Sequence, residues 1–315
     1  MHGSMDLNKT VTVQSPGTIA NLVCGFDILG LALNQPYDCL TLRLTDRPAV
    51  TIWNKDDFGL PVDPARNVSG VVLLSIMENL NNGIGFELIS EKKIKPGSGI
   101  GSSAASAAGA AMAANMLLGN IYSKEDLVQF AMNGEKLASG VKHADNIAPC
   151  IYGGITLVRS IFPLDIVSIP APELFVTVVH PQIEVKTADA RQILKKEILL
   201  KNAIRQWGNV AGLVAGFFKN DHALISRSLE DVVIEPLRSI LIPGFDEVKQ
   251  LSKAAGSLGG GISGSGPSIF MLSATQQVAN EVANLMSEVY TRLGIDFHTY
   301  VTTINPKGII QSDLQ

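Results

Sequence analysis

Between Lys95 and Lys124 the chain carries no charged residue, and that gap opens on Pro96-Gly-Ser-Gly-Ile-Gly-Ser-Ser. Glycines at 97, 99 and 101, between a strand and a helix beginning Ser102-Ser103-Ala, make a site for an anion. The first N–H groups of a helix lack internal partners, and the helix dipole is positive there. Glycines let phosphate oxygens approach the backbone and permit positive φ. Ser102 and Ser103 add hydroxyls for phosphate or magnesium. Three further stretches carry chemistry. Ser15–Leu33 holds Asn21, Gly25 and Asp27 in an apolar setting, and Lys142–Gly154 packs His143, Asp145 and Asn146 together. Gly259–Phe270 is a second glycine loop with no bulky residue to fill space. Singly, each has a plain structural reading: a helix cap for Asp27, a satisfied core histidine for His143, a hairpin turn for the loop. Together they point to one site.

Two better-known phosphate loops are excluded. A Walker A loop needs GxxxxGK[ST], and no Gly-Lys lies near this turn. The dinucleotide fingerprint needs GxGxxG, whereas Gly97, Gly99 and Gly101 give GxGxG. The uncharged stretch is long enough to span a bilayer, but its content is wrong. Ser102–Gly119 is mostly Ala, Ser and Gly, with Asn115 inside. A buried helix packed closely through alanine is expected instead.

The elements that must position these residues follow from periodicity. VTVQSPG, YDCLTLRLTD, FELISEKKI and GGITLVRS read as strands, and PARNVSGVVLLSIMENLN as a helix. The small-residue helix ends at Gly119–Asn120, and Ser123 with Asp126 caps the next one. "FPLDIVSIPAPEL" carries three prolines and is the linker candidate. Beyond it ELFVTVVHP and HTYVTTI read as strands. Thr187 caps a helix ADARQILKK, and two amphipathic helices follow, LKNAIRQWGNVAGLVAGFF and VANEVANLMSEVYTRLG. This is an α+β pattern in two lobes, divided as residues 6–168 and 169–315.

The 315 residues, 46% hydrophobic and 17% charged, describe a globular chain with a sizeable core. The formal charge is −4, with no basic run to suggest nucleic acid. Three cysteines without a CxxC argue against disulfides or structural zinc and fit a reducing cytoplasm. Residues 1–4 read as a cloning remnant, with Met5 the native start. The segment after it has no apolar run of the kind a signal peptide needs.

The combination resembles the GHMP-superfamily kinases, and within them the homoserine kinase family, from about Thr10 to about Asn305. The run ANLVCGFDILGLAL in Ser15–Leu33 is similar to the first signature. Pro96–Ala105 resembles PxxxGLGSSAA, with Ile100 for Leu and one residue fewer between Pro96 and Gly99. Gly261–Phe270 resembles the third signature. HADNIAPCIYGG resembles a block of the homoserine kinase family.

The resemblance implies a two-lobed GHMP kinase fold, with an N-terminal domain like ribosomal protein S5 domain 2 and a ferredoxin-like C-terminal domain. It implies ATP and magnesium, with phosphates on Pro96, Gly97, Ser98, Gly99, Ile100, Gly101, Ser102 and Ser103. Ser103 and Glu135 would hold the metal, and Asn67 would lie near the adenine. The acceptor would be L-homoserine, its carboxylate held by Arg191 and Arg238 and its ammonium by Asp27. Asn21, His143 and Thr187 would lie beside it, and Asn146 would touch the reacting hydroxyl. Many relatives use an aspartate there, so direct attack without a strong general base is expected. The product would be O-phospho-L-homoserine, on the route to threonine, and the assembly a homodimer. Two other readings stay open: a related kinase for mevalonate or a cytidyl-erythritol, or a ligand sensor without turnover. An oxidoreductase is more distant.

Overall fold

The computed structural model describes residues 9–185 and 187–312. The first lobe is built on two long antiparallel strands, β1 (Thr10–Ala20) and β2 (Leu29–Thr45). Leu40, Leu42 and Leu44 of β2 point inward at every second position, as a half-buried strand requires. β3 (Val50–Asn54), α1 (Val68–Leu80), β4 (Gly85–Glu91), α2 (Ser102–Leu117), α3 (Lys124–Ser139), α4 (Ile147–Tyr152), β5 (Ile155–Ile161) and β6 (Leu164–Ile169) follow. β2 pairs with β4 along its second half and with β5 at its start, and β3 lies parallel to β4.

The helix α2 explains the uncharged stretch. It is buried almost all round, packed against β1, β2, α1, α3 and α4. A Cβ on Gly109 would come within 2.8 Å of the Leu40 side chain and 3.1 Å of Ser15. Small residues let this helix approach the sheet from the middle of the lobe. Among the described residues, no helix is long and apolar enough to cross a membrane.

The second lobe comprises β7 (Phe175–Pro181), α5 (Thr187–Gln192), α6 (Leu200–Lys219), α7 (His222–Ser228), α8 (Glu235–Arg238), α9 (Phe245–Ala254), β8 (Gly259–Ile262), β9 (Ile269–Ser273), α10 (Gln276–Leu293) and β10 (Phe297–Thr303). Its sheet runs β10–β7–β9–β8, antiparallel throughout. Alternate residues serve two cores. Val179, Ile269 and Met271 meet Val282, Met286 and Tyr290 of α10. Val176, Val178 and Phe270 join Leu29, Leu31 and Leu33 of the first lobe. The chain then returns: β11 (Ile310–Gln311) pairs with β1, and Ile309 N–H donates to Cys150 O at 2.7 Å.

Three sequence expectations change in detail. Phe162–Glu173 is not all linker, because β6 lies inside it as a hairpin partner of β5. Pro163 occupies the hairpin turn, and Pro170 and Pro172 follow the strand. The stretch Gly259–Ile262 is a strand rather than loop, so the second glycine loop is confined to 263–268. The helix over ADARQILKK stops at Gln192.

One buried ion pair ties β2 to the start of α2. Lys92 and Asp38 side chains are 2% and 0% exposed and bonded to each other. Lys92 Nζ also donates to Ser106 Oγ at 2.8 Å and Ser102 O at 3.1 Å. Asp38 Oδ1 accepts the Lys93 and Ile94 N–H groups at 2.7 and 2.9 Å. Removing one buried partner strands the other's charge, which costs about 3–5 kcal/mol. Lys92→Met should lower urea stability by that amount, and adding Asp38→Asn should recover part of it.

Candidate functional site

The loop from Pro96 to Gly101 leads from β4 into α2, and its backbone is turned by the second glycine loop. Ser268 Oγ donates to Ser98 O at 2.6 Å, and Ser263 Oγ donates to Gly99 O at 2.7 Å. Gly99 has φ +78, and a Cβ there would lie 2.6 Å from Gly266 O and 2.7 Å from Ser263 O. Only glycine fits. Gly101 stands at the N-cap of α2 with no side-chain cap, so the first turn of a 16-residue helix faces the cleft without one. The Ser98 and Ile100 side chains are buried away from the cleft, 1% exposed each. Pro96, Gly97, Gly99 and Gly101 line it.

The two serines divide. Ser102 Oγ turns inward and donates to Ile94 O at 2.8 Å. Ser103 Oγ donates to Glu135 Oε2 of α3 at 2.8 Å. Burial raises the Glu135 carboxyl above its usual range, with Ser103 and Ser139 pulling the other way. No ion pair to Glu135 forms among the described residues. Asn67 lines the far end, but its side chain is already engaged. Its Oδ1 caps α1 by accepting the Gly70 N–H at 3.2 Å, and its Nδ2 donates to Pro61 O at 2.7 Å.

At the opposite end the loop after β1 is strained. Asn21, Leu22, Val23 and Asp27 have φ of 74°, 41°, 66° and 61°. Such conformations persist only where surroundings impose them. Leu22 and Val23 are buried, Asn21 Oδ1 accepts the Asp27 N–H at 3.0 Å, and Gln206 of α6 donates to Cys24 O at 2.8 Å. Asp27 is therefore held as part of a turn rather than as a helix cap. Arg191 Nη2 lies 3.1 and 3.2 Å from the two Asp27 oxygens and 2.8 Å from His143 Nε2. Arg238, 4% exposed, donates to Ala190 O at 2.9 Å and to Gly264 O at 3.1 Å. Phe26 lies beneath both guanidinium groups, 5.8 Å from that of Arg191 and 4.9 Å from that of Arg238.

Asn146 closes the middle. Its Oδ1 accepts from Thr18 Oγ1 at 2.8 Å. Asp145 beside it is 4% exposed and accepts the Asn146 N–H at 3.1 Å. Its carboxyl is pushed up to about 7 by burial first, then by the charges of Asp27 and Glu135. Burial lowers His143, and the Arg191 charge adds to that against Asp27. One cleft of about 390 Å³ thus runs from Asn67 past the glycine loop to Asp27, His143, Arg191 and Arg238. Thr187 begins α5, but its side chain lies outside the described residues.

The chain that forms this cleft has relatives among known proteins. Residues 67–154 match the GHMP kinases N terminal domain, and residues 213–292 match the family described as GHMP kinases C terminal. A homoserine kinase of Chloroherpeton thalassium is 47% identical over 298 residues, 90% of this chain and 93% of that one. A homoserine kinase of Chlorobaculum tepidum is 44% identical, covering 95% of this chain and 97% of its own. The crystal structure of a homoserine kinase from Cytophaga hutchinsonii superposes with a TM-score of 0.93 at 47% identity, covering 99% of both chains. This chain belongs to the homoserine kinase family of GHMP kinases. A mevalonate kinase from L. major, 16% identical with a TM-score of 0.73, shares the fold.

Several residues of this kinase cleft escaped sequence reasoning. Thr18 reads as one more strand residue, and Phe26 as loop filler. Lys92 carries no pattern that separates it from its exposed neighbour Lys93. Ser263 and Ser268 sit in the second glycine loop, and only the fold shows that they grip the first. Gly99→Ala should abolish tight nucleotide binding, measured by fluorescence titration with an ATP analogue, and should lower the melting temperature. Ser263→Ala, which leaves the space unchanged, should weaken binding without that collapse.

Proposed function

We propose that this protein transfers the γ-phosphoryl group of ATP to the side-chain hydroxyl of L-homoserine, giving O-phospho-L-homoserine and ADP. The observation that carries this reading is the pairing of ends. A glycine loop opening a long helix lies at the centre of the cleft, and two guanidinium groups with a carboxylate lie at its acceptor end. An α-amino acid needs that second set: guanidinium forks for its carboxylate and an anion for its ammonium. Arg238, buried and bonded among the described residues only to carbonyls, is a candidate for the carboxylate together with Arg191. Residues 6–168 would carry the nucleotide loop, and residues 169–315 would bring both arginines to it.

Magnesium fits the Ser103–Glu135 pair. It takes oxygen ligands, keeps several waters and is held by one or two carboxylates plus substrate phosphates. Among the described residues no cluster of three or more His, Cys, Asp or Glu forms a dedicated cage. Bound there, the metal would neutralise phosphate charge. The chain's own residues do the rest. The amides of the glycine loop and of the α2 N-terminus face the phosphates. Thr18 fixes the Asn146 amide, which orients the attacking hydroxyl. Asn146 cannot accept a proton to become charged. Phosphoryl transfer has a loose transition state, so positioning and charge neutralisation suffice without a strong general base.

Homodimerisation is the assembly we infer. Leu200, Ile204, Trp207 and Phe218 are 68, 57, 62 and 56% exposed and fall along one side of α6. Their spacing suits a seam with a second copy of this helix. Light scattering should show a dimer, and Trp207→Glu a monomer.

The activity is tested by ADP release from magnesium ATP with L-homoserine, L-threonine, L-serine, mevalonate and galactose. Release with homoserine far above the others is the expected result. Preference for an acceptor that is not an amino acid would discard the acceptor assignments. Asp145 gives a pH test. As a base it would be protonated below about 7, so kcat would fall as the pH drops through that value. Direct attack instead predicts a profile with no such limb, and Asp145→Asn retaining kcat within about tenfold.

A further inference from the structure

The first glycine loop begins with a turn that the second lobe holds at both corners. Lys95, Pro96, Gly97 and Ser98 form it, with the Ser98 N–H donating to Lys95 O at 3.2 Å and Gly97 at a φ of 76°. Proline in second place and a positive φ in third are the marks of a type II turn. The peptide between Pro96 and Gly97 takes no part in the turn's own bond. Gly97 lines the cleft, and among the described residues its N–H has no protein partner. One corner is Ser98, whose carbonyl accepts the Ser268 hydroxyl at 2.6 Å. The other is Lys95, whose Nζ donates to Gln182 Oε1 at 2.7 Å, just past the end of β7. The pattern PxxxGLGSSAA puts proline at position 95. In this chain the proline stands at 96, and position 95 carries a side chain long enough to reach the other lobe.

Gln182 is itself held. Its N–H donates to Asp296 O at 2.6 Å, and its amide nitrogen donates to His180 O at 3.0 Å and to His180 Nδ1 at 3.1 Å. An amide nitrogen can only donate, so His180 Nδ1 accepts and the ring proton sits on Nε2. Burial first, then the charges of Lys95 and His298, lower His180 to about 4, so Nδ1 keeps its lone pair near neutrality. With its nitrogen fixed, the amide has one orientation, and its oxygen meets an ammonium that can only donate. We propose that Gln182 is a positioning residue for the nucleotide, setting through Lys95 the plane of the turn that offers the Gly97 N–H to a phosphate. This rests on the assignment of the loop to phosphates made above. Lys95 is not among the residues lining the cleft, so its bond acts on the turn rather than on the ligand. A donor turned out of line loses much of a charge-assisted hydrogen bond, because such bonds weaken steeply with angle.

The test is a double-mutant cycle read by nucleotide affinity. The Kd of an ATP analogue is measured by fluorescence titration on the full chain, on Gln182→Leu, on Lys95→Met and on the double variant. The KM for L-homoserine is measured on each at saturating ATP. Gln182→Leu leaves the Lys95 charge in place, and should still weaken the analogue about threefold to tenfold. In the Lys95→Met background the same change should add less than about twofold, because the bond it removes is already gone. The homoserine KM should stay within about twofold throughout, since the turn lies at the other end of the cleft. A Gln182→Leu affinity equal to that of the unaltered protein overturns the proposal and leaves Lys95 acting through its charge alone. Two losses that multiply in the double variant overturn it as well, as does a homoserine KM that rises in step with the Kd, which marks a misaligned lobe. A variant that folds poorly gives one of these last two results, so it cannot imitate support. An unaltered protein that binds no nucleotide instead overturns the assignment of the loop.

Discussion

Everything in the cleft depends on the contact between two glycine loops from different lobes. Ser263 and Ser268 of the second lobe hold the carbonyls of Gly99 and Ser98. A peptide whose oxygen is pulled to one side presents its N–H groups elsewhere. The same second loop accepts Asn21 Nδ2 and Arg238 Nη1 at Gly264 O, 2.8 and 3.1 Å away. One short loop therefore positions the first glycine loop together with Asn21 and Arg238 at the far end of the cleft. This explains why residues with no side chain occupy its centre. Any Cβ at Gly99 would push the lobes apart where tenths of an ångström decide whether two reactants meet.

Beneath that contact lies a second constraint, the buried pair of Lys92 and Asp38. Lys92 holds Ser102 O and Ser106 Oγ, so the first turn of α2 is fastened to the sheet as well as to the opposite loop. The helix end that opens onto the cleft is thus fixed from below and from in front. Its small residues let it sit close enough to the sheet for a lysine to reach. The composition of α2 and the position of its N-terminus are one design.

Much of this could be read in the residues before any fold was known. Glycines at 97, 99 and 101 followed by Ser-Ser-Ala carry their meaning locally, because helix polarity and glycine sterics act over a few residues. Ser123 and Asp126 do the same, and their capping box is present. The resemblance places Asp27, Arg191 and His143 at one end of the cleft, but their direct bonds to one another are not legible, since those depend on three separate elements. The pair of Lys92 and Asp38 was invisible for the same reason: a lysine in a half-polar strand looks solvated until the sheet closes over it. Pro163 misled in the other direction. A proline-rich stretch reads as linker, yet here Pro163 sits in a hairpin turn where no ladder hydrogen bond is lost. Asn67 is instructive too, because a residue that lines the cleft serves at the same time as a helix cap.

The return of the chain to its first lobe has a mechanical consequence. Asn305 bonds to Ala32 and Gly154 backbone, Ile309 to Cys150, and Ser312 N–H to Thr12 O at 2.8 Å. The lobes are therefore joined by two covalent crossings, one after β6 and one after β10. A body attached to another at a single point can swing in any direction. Attached at two, it can only rock about the line between them. The core that Leu29, Leu31 and Leu33 share with Val176, Val178 and Phe270 opposes even that rocking, so the two glycine loops keep their register.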